Sequence, residues 1–191
     1  MDGRAQIRRR AAALVVGLGC VLAPLACTVA PAAAAAGGDA PSSLVQAGFI
    51  TKFPLFVYWP DDAWVPGDGP LVIGVIGESP VLADLQQLAR YTEIDGSALE
   101  IRQLAAPEEA DGCQIVFIAA DEDARLEEIL AVLRGRPVLT VADSPGFAAR
   151  GVHINFYVES ERVRFELNQR ACAEAGLGLS FRLRNVARLL E

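Results

Sequence analysis

Few residues of this chain have types suited to chemistry: Cys113, Cys172, the single histidine His153, the carboxylate of Asp143, and the turn Gly74-x-x-Gly77-Glu78-Ser79. A structural zinc site takes four sulfur or nitrogen ligands, usually at short spacings. Of the four cysteines, Cys20 and Cys27 fall in an N-terminal stretch expected to be removed on export; the remaining two and one histidine, so far apart, do not supply one, and no metal or other cofactor is assigned. There is no Gly-x-Ser-x-Gly elbow, and neither cysteine has a candidate base close in sequence, so no catalytic residue is named. Cys113 sits at the start of a strand and Cys172 in a helix. They can bridge in an oxidising compartment or remain two buried thiols, and free thiols are the favoured reading. The glycine turn leaves a strand and enters a helix, where α/β sheets bind phosphate. It lacks the third glycine and the lysine of the nucleotide fingerprints, so a structural junction is favoured.

Other residues form a candidate partner or ligand surface. Asp143 ends the fourth strand, where such sheets place ligands, although capping the turn over residues 144–147 is its favoured role. His153 alternates against Val152, Ile154 and Phe156 and therefore reads as a residue of the more polar sheet face; a histidine there could answer to pH between 6 and 7. Tyr58 and Trp59 either fill the core or face a partner, where both types are enriched; core is favoured. Arg182, Arg184 and Arg188 read as one face of the last helix, with Arg170 near in sequence, making a basic edge suited to an acidic partner. Glu166 and Asn168 point the same way along a strand, and Asn168 is placed to cap the helix that follows. Gly77 completes the set through its turn.

The elements that position these residues follow from periodicity. Ser42 and Ser43 open a helix expected to run to about Tyr58, with a kink or break at Pro54, which has no N–H to donate. Residues 61–70 are a Pro/Gly loop. Residues 71–76 and, after Gln114, the rest of 114–119 are apolar, as strands covered on both faces are. A strand is also expected over 98–104 and another over 137–142. Helices are expected from Pro80 to about Tyr91 and from a cap at Asp123 to Leu133. Alternation over 152–157 and 163–167 about a Glu159-Ser160-Glu161 turn predicts an antiparallel hairpin. A helix over 169–174 ends at Gly176, and Ser180 caps a last helix carrying Leu183, Val186, Ala187 and Leu190. This order predicts an α/β single-domain sandwich whose mixed β-sheet has a parallel core and an antiparallel hairpin, with helices on both faces.

The N-terminus reads as an address. Arg4, Arg8, Arg9 and Arg10 precede a stretch without charge from residue 11 to 38, with a short apolar centre and an alanine run at 32–36. Those are the parts of a secretory signal peptide, here residues 1–36. A membrane-spanning helix needs about 20 strongly apolar residues, and this stretch is diluted by glycine, proline and alanine. A flexible leader over 37–43 and a folded domain over 44–191 complete the expected organisation. The chain carries a net charge of −7, and residues 1–36 contribute +3, so the remainder stands at −10. Binding to nucleic acid depends on many Lys/Arg–phosphate contacts, and this charge argues against it.

Several blocks together resemble the YfiR family of small periplasmic proteins. They are Phe53-x-x-Phe56-Val57-x-Trp59-Pro60; Leu71-Val72-Ile73-Gly74-Val75-Ile76-Gly77; Cys113-Gln114-Ile115-Val116-Phe117-Ile118; and Pro137-Val138-Leu139-Thr140-Val141-Ala142-Asp143 with Phe147 and Gly151. Val163-Arg164-Phe165-Glu166-Leu167-Asn168, Ala175-Gly176-Leu177-x-Leu179-Ser180 and Leu183-x-x-Val186-Ala187 complete the order. The resemblance implies a non-enzymatic periplasmic regulator, acting as a homodimer. It would bind the periplasmic sensor region of an inner-membrane diguanylate cyclase and hold it inactive, so that release raises cyclic di-GMP and favours biofilm growth. An outer-membrane lipoprotein partner is implied as well. Some members bridge the Cys113 position to a cysteine in the first strand; Gly74 stands there in this chain, so that bond is not expected. The alternative is a small-molecule binding module using a cleft beside Gly77 and Asp143, and an exported hydrolase ranks last for want of a triad.

Overall fold

In a computed structural model of the chain, residues 43–190 are described. The signal peptide expected at 1–36 lies outside the described residues, as does all of the leader but its last residue. The short helix α1 (Ser43–Ile50) stops well before the expected end. Pro54 has no N–H, and the chain tightens into a 3-10 turn over Phe53–Leu55 before extending as β1 (Val57–Tyr58). The tail of the predicted helix is therefore a strand.

β2 (Leu71–Ile76) is buried along its whole length, as the unbroken apolar run requires. Ser79 caps α2 (Pro80–Ala89), its hydroxyl accepting the Val81 N–H at 3.2 Å, with Pro80 in the first turn where a missing N–H costs nothing. The two-residue strand β3 (Glu93–Ile94) hairpins onto β4 (Ser97–Leu104), which lies parallel to β2. β5 (Ile115–Ile118) then pairs with the other side of β2. Asp123 does not cap the next helix: a 3-10 segment over Ala120–Arg125 precedes α3 (Leu126–Leu133), and Asp123 pairs with Arg150 instead.

β6 (Leu139–Ala142) and β7 (Ile154–Glu159) extend the parallel sheet. Ser160 and Glu161 both take positive φ, +50° and +60°, forming a two-residue turn of the kind that matches hairpin twist. It returns the chain as β8 (Arg162–Asn168), antiparallel to β7 with Glu159 opposite Arg162. Asn168 caps α4 (Gln169–Glu174) as predicted, accepting the Ala171 N–H at 2.9 Å. β9 (Gly178–Leu179) pairs antiparallel with β1. Ser180 caps α5 (Phe181–Val186), accepting the Leu183 N–H at 3.2 Å. That helix ends early, and Leu190 belongs to β10 (Arg188–Leu190), parallel to β8.

The main sheet runs β10-β8-β7-β6-β5-β2-β4-β3, and β1-β9 forms a second, two-stranded sheet. One apolar layer joins Ile73, Val75, Phe117 and Val141 to side chains of α1, α2, α4 and α5. The other joins Val72, Ile76, Val116 and Ile118 to Leu126, Ile129 and Leu133 of α3. The predicted mixed sheet with helices on both faces is therefore the observed one.

Candidate functional site

β4 and β5 flank β2 on opposite sides, so the chain reverses its direction of sheet growth at the ends of β2 and β5. Ligands of open α/β sheets bind at such a point. Gly77 lies there with φ +85°, and a Cβ on it would collide with the Asp121 carboxylate and the Glu122 side chain. The Asp121 carboxylate accepts the Glu78 N–H at 3.0 Å. The amide that a phosphate would seek is thus already held by an acid of the chain itself.

Asp143 follows β6, two strands away from β2 at the same end of the sheet. Its Oδ2 accepts from the Gln46 amide of α1 at 3.2 Å, and its Oδ1 is buried with no partner among the described residues. This contact with α1, rather than the expected cap of the 144–147 turn, is what the side chain makes. Burial raises its carboxyl above the usual range, against the opposing hydrogen bond from Gln46. Asp143 lines a cavity of about 550 Å3 with Asn155, Tyr157, Glu166 and Arg188, and Gly77 is not part of that lining.

His153 is a correction. It is only 7% exposed, and its Nδ1 accepts the Thr140 backbone N–H at 2.9 Å while its backbone N–H donates to Thr140 Oγ1 at 3.0 Å. Burial pushes its pKa down to about 4, which leaves it neutral rather than a sensor between 6 and 7. The expected alternation begins too early: β7 starts at Ile154, Val152 packs in the α3 layer while Ile154 and Phe156 pack in the other, and His153 lines a cavity with Leu130 of α3 and Ala171 of α4.

Tyr58 and Trp59 separate. Tyr58 is 61% exposed, whereas Trp59 is 9% exposed and packs edge-on against Trp64, with ring centroids 5.7 Å apart. The basic edge also divides, because Arg188 is in a strand. It pairs with Glu159 at 3.2 Å and Glu166 at 3.5 Å and lies over the Tyr157 ring at 4.3 Å. Arg182 and Arg184 stay exposed on α5. Sequence reasoning missed Arg150, which binds Glu127 at 2.8 Å and also Asp123; those partners are too far away in the chain for helix spacing to reveal them.

Among the described residues, no group of three or more His, Cys, Asp or Glu is placed to hold a metal ion, and no helix is long and apolar enough to cross a membrane. The family model described as YfiR/HmsC-like matches residues 43–188. The chain belongs to the YfiR/HmsC-like family. The match spans α1 to the start of β10, so the capped helices and the central strands are the family domain. No curated protein sequence matches. Among solved structures, a conserved domain protein from Vibrio cholerae O1 biovar El Tor is similar at 9% identity, with a TM-score of 0.49, over 78% of this chain and 60% of that one. The chain thus spans about 60% of that protein's length.

Both cysteines of this YfiR/HmsC-like domain are free and buried, as favoured from sequence. They belong to opposite layers of the core, Cys172 with α1 and α2 and Cys113 with α3. Burial raises both thiols, that of Cys172 to about 12, so neither is a nucleophile at neutral pH. Gly74 stands directly beside Cys113, and a Cβ built there lies 3.2 Å from its Sγ.

Proposed function

We propose that this chain is a periplasmic regulatory protein that binds and represses the sensor region of an inner-membrane diguanylate cyclase, so controlling cyclic di-GMP. The family match over residues 43–188 carries this reading. The remaining features agree with it. Residues 1–36 act as a cleaved export signal, 37–43 as a leader, and 44–191 as the functional domain. The protein works through its surface rather than through catalysis. Tyr58, Phe181 and Val186 are large apolar side chains left exposed, the kind of residue that protein interfaces cover. A homodimer presents this surface, and an outer-membrane lipoprotein competes for it.

The test is genetic and biochemical. Deleting the gene raises cellular cyclic di-GMP in its host, and the tagged protein recovers a membrane diguanylate cyclase from solubilised inner membranes. Unchanged cyclic di-GMP together with failure to recover a cyclase would sink the proposal.

A further inference from the structure

Between the end of α1, the 3-10 turn and α5 runs a groove of about 280 Å3. Its walls are Phe49, Phe53, Phe56 and Phe165, with Leu183 and Val186 from α5. Phe53 and Phe165 meet edge-on at 5.5 Å, and both touch Phe156 behind them, so the floor is a rigid aromatic cluster. Two cations complete the lining, Lys52 beside the turn and Arg182 on α5. Neither makes an ion pair or a side-chain hydrogen bond among the described residues, and no carboxylate lines the groove. Elsewhere on the protein Arg150 pairs with Glu127, Arg188 with Glu159 and Glu166, and Arg136 with Asp111, whereas Arg90, Arg134, Arg162 and Arg184 share with Lys52 and Arg182 the lack of an ion pair among the described residues; the groove is set apart by joining two such cations to an apolar floor.

We propose that this groove binds a free amphiphilic monocarboxylate with an uncharged apolar tail, the chemistry of a medium-chain fatty acid. The tail lies on the phenylalanine floor, and the carboxylate is met by Lys52 and Arg182. Ligand pockets are mostly apolar with a few polar groups that fix orientation, and at the small end they measure roughly 300 Å3. A lone carboxylate answers both unpaired cations through charge-assisted contacts. A zwitterion is disfavoured because its ammonium would sit beside two cations with no acid to receive it. The site lies apart from the strand ends at Gly77 and from the Asp143 cavity. It does not depend on the regulatory reading, and either can fail while the other stands.

Calorimetric titration of the full chain with decanoate, decanol and decyltrimethylammonium, all below micelle-forming concentrations, tests the proposal. Decanoate binds saturably at one site, and decyltrimethylammonium does not. The K52E/R182E double variant weakens decanoate binding by about tenfold or more, the loss of at least one charge-assisted contact. Val186→Trp, at a position 63% exposed, narrows the groove and lowers affinity for decanoate with the charges intact. Unchanged thermal midpoints show that both variants fold. No saturable decanoate binding to the folded chain, equal binding of the cationic amphiphile, or full affinity in the double variant each overturns the assignment. So does a result in which anionic vesicles bind the protein and monomeric decanoate does not.

Discussion

Thr140 and His153 clasp two adjacent backbones reciprocally: the Thr140 N–H donates to the imidazole at 2.9 Å, and the Thr140 hydroxyl accepts the His153 N–H at 3.0 Å. The clasp needs an unprotonated Nδ1. The folded pKa is about 4, below the ordinary 6.5, so between those values the unfolded chain binds more protons than the folded one. Stability is therefore full above pH 6.5 and falls as the pH drops towards 4, by on the order of 3 kcal/mol at most. Urea unfolding at several pH values measures this. A His153→Asn chain should be less stable at pH 7 and flatter through that window; an equally steep profile would show that other groups govern it.

Asp143 shifts in the opposite sense for an acid. Its folded pKa is raised by burial, so the folded state holds its proton longer than the unfolded one, and stability declines as pH rises past the ordinary carboxylate pKa. Asp143→Asn removes the buried charge and keeps a partner for Gln46. Thermal unfolding at pH 7 should show a gain in stability, and the gain should vanish near pH 3, where both states hold the proton. A loss of stability at pH 7 would mean that the carboxylate is held by a group outside those described here.

Gly74 and Cys113 are neighbours in space without a bond. Gly74→Ala forces its methyl against Leu104 and should cost about 1–3 kcal/mol. Gly74→Cys places a second thiol beside Cys113. After mild oxidation the reactive thiol count of the unfolded variant should drop by two, and reduction should restore it. A variant whose thiols stay free under oxidant would show that Leu104 does not yield.

Adjacent residues differ at the surface. Trp59 is buried against Trp64, so Trp59→Ala should destabilise by about 3–5 kcal/mol in urea unfolding. Tyr58→Ala should stay within about 0.5 kcal/mol of wild type yet reduce recovery of the cyclase from membranes. Full recovery with Tyr58→Ala would remove that residue from the partner surface.

The strands β2 and β5 were legible because a short unbroken apolar run bounded by turn residues suits a strand covered on both faces. The β7–β8 hairpin was legible because its alternation has period two, and the caps at Asn168 and Ser180 because a short oxygen-bearing side chain precedes each helix. These are local properties, carried by neighbours in the chain, and with the motif order they also determined the family. Tertiary structure decided the rest. Pro54 announced a break but not that Val57 and Tyr58 would pair with Gly178 and Leu179, 120 residues on. Three residues at 188–190 became a strand because β8 offered an open edge, and Arg188 went with them to Glu159 and Glu166. His153 was expected on the polar side of a strand, yet it lies just before β7 and is buried, in a cavity lined by residues of both α3 and α4. Local pattern sets which way a side chain points, whereas burial depends on what the distant chain lays on top.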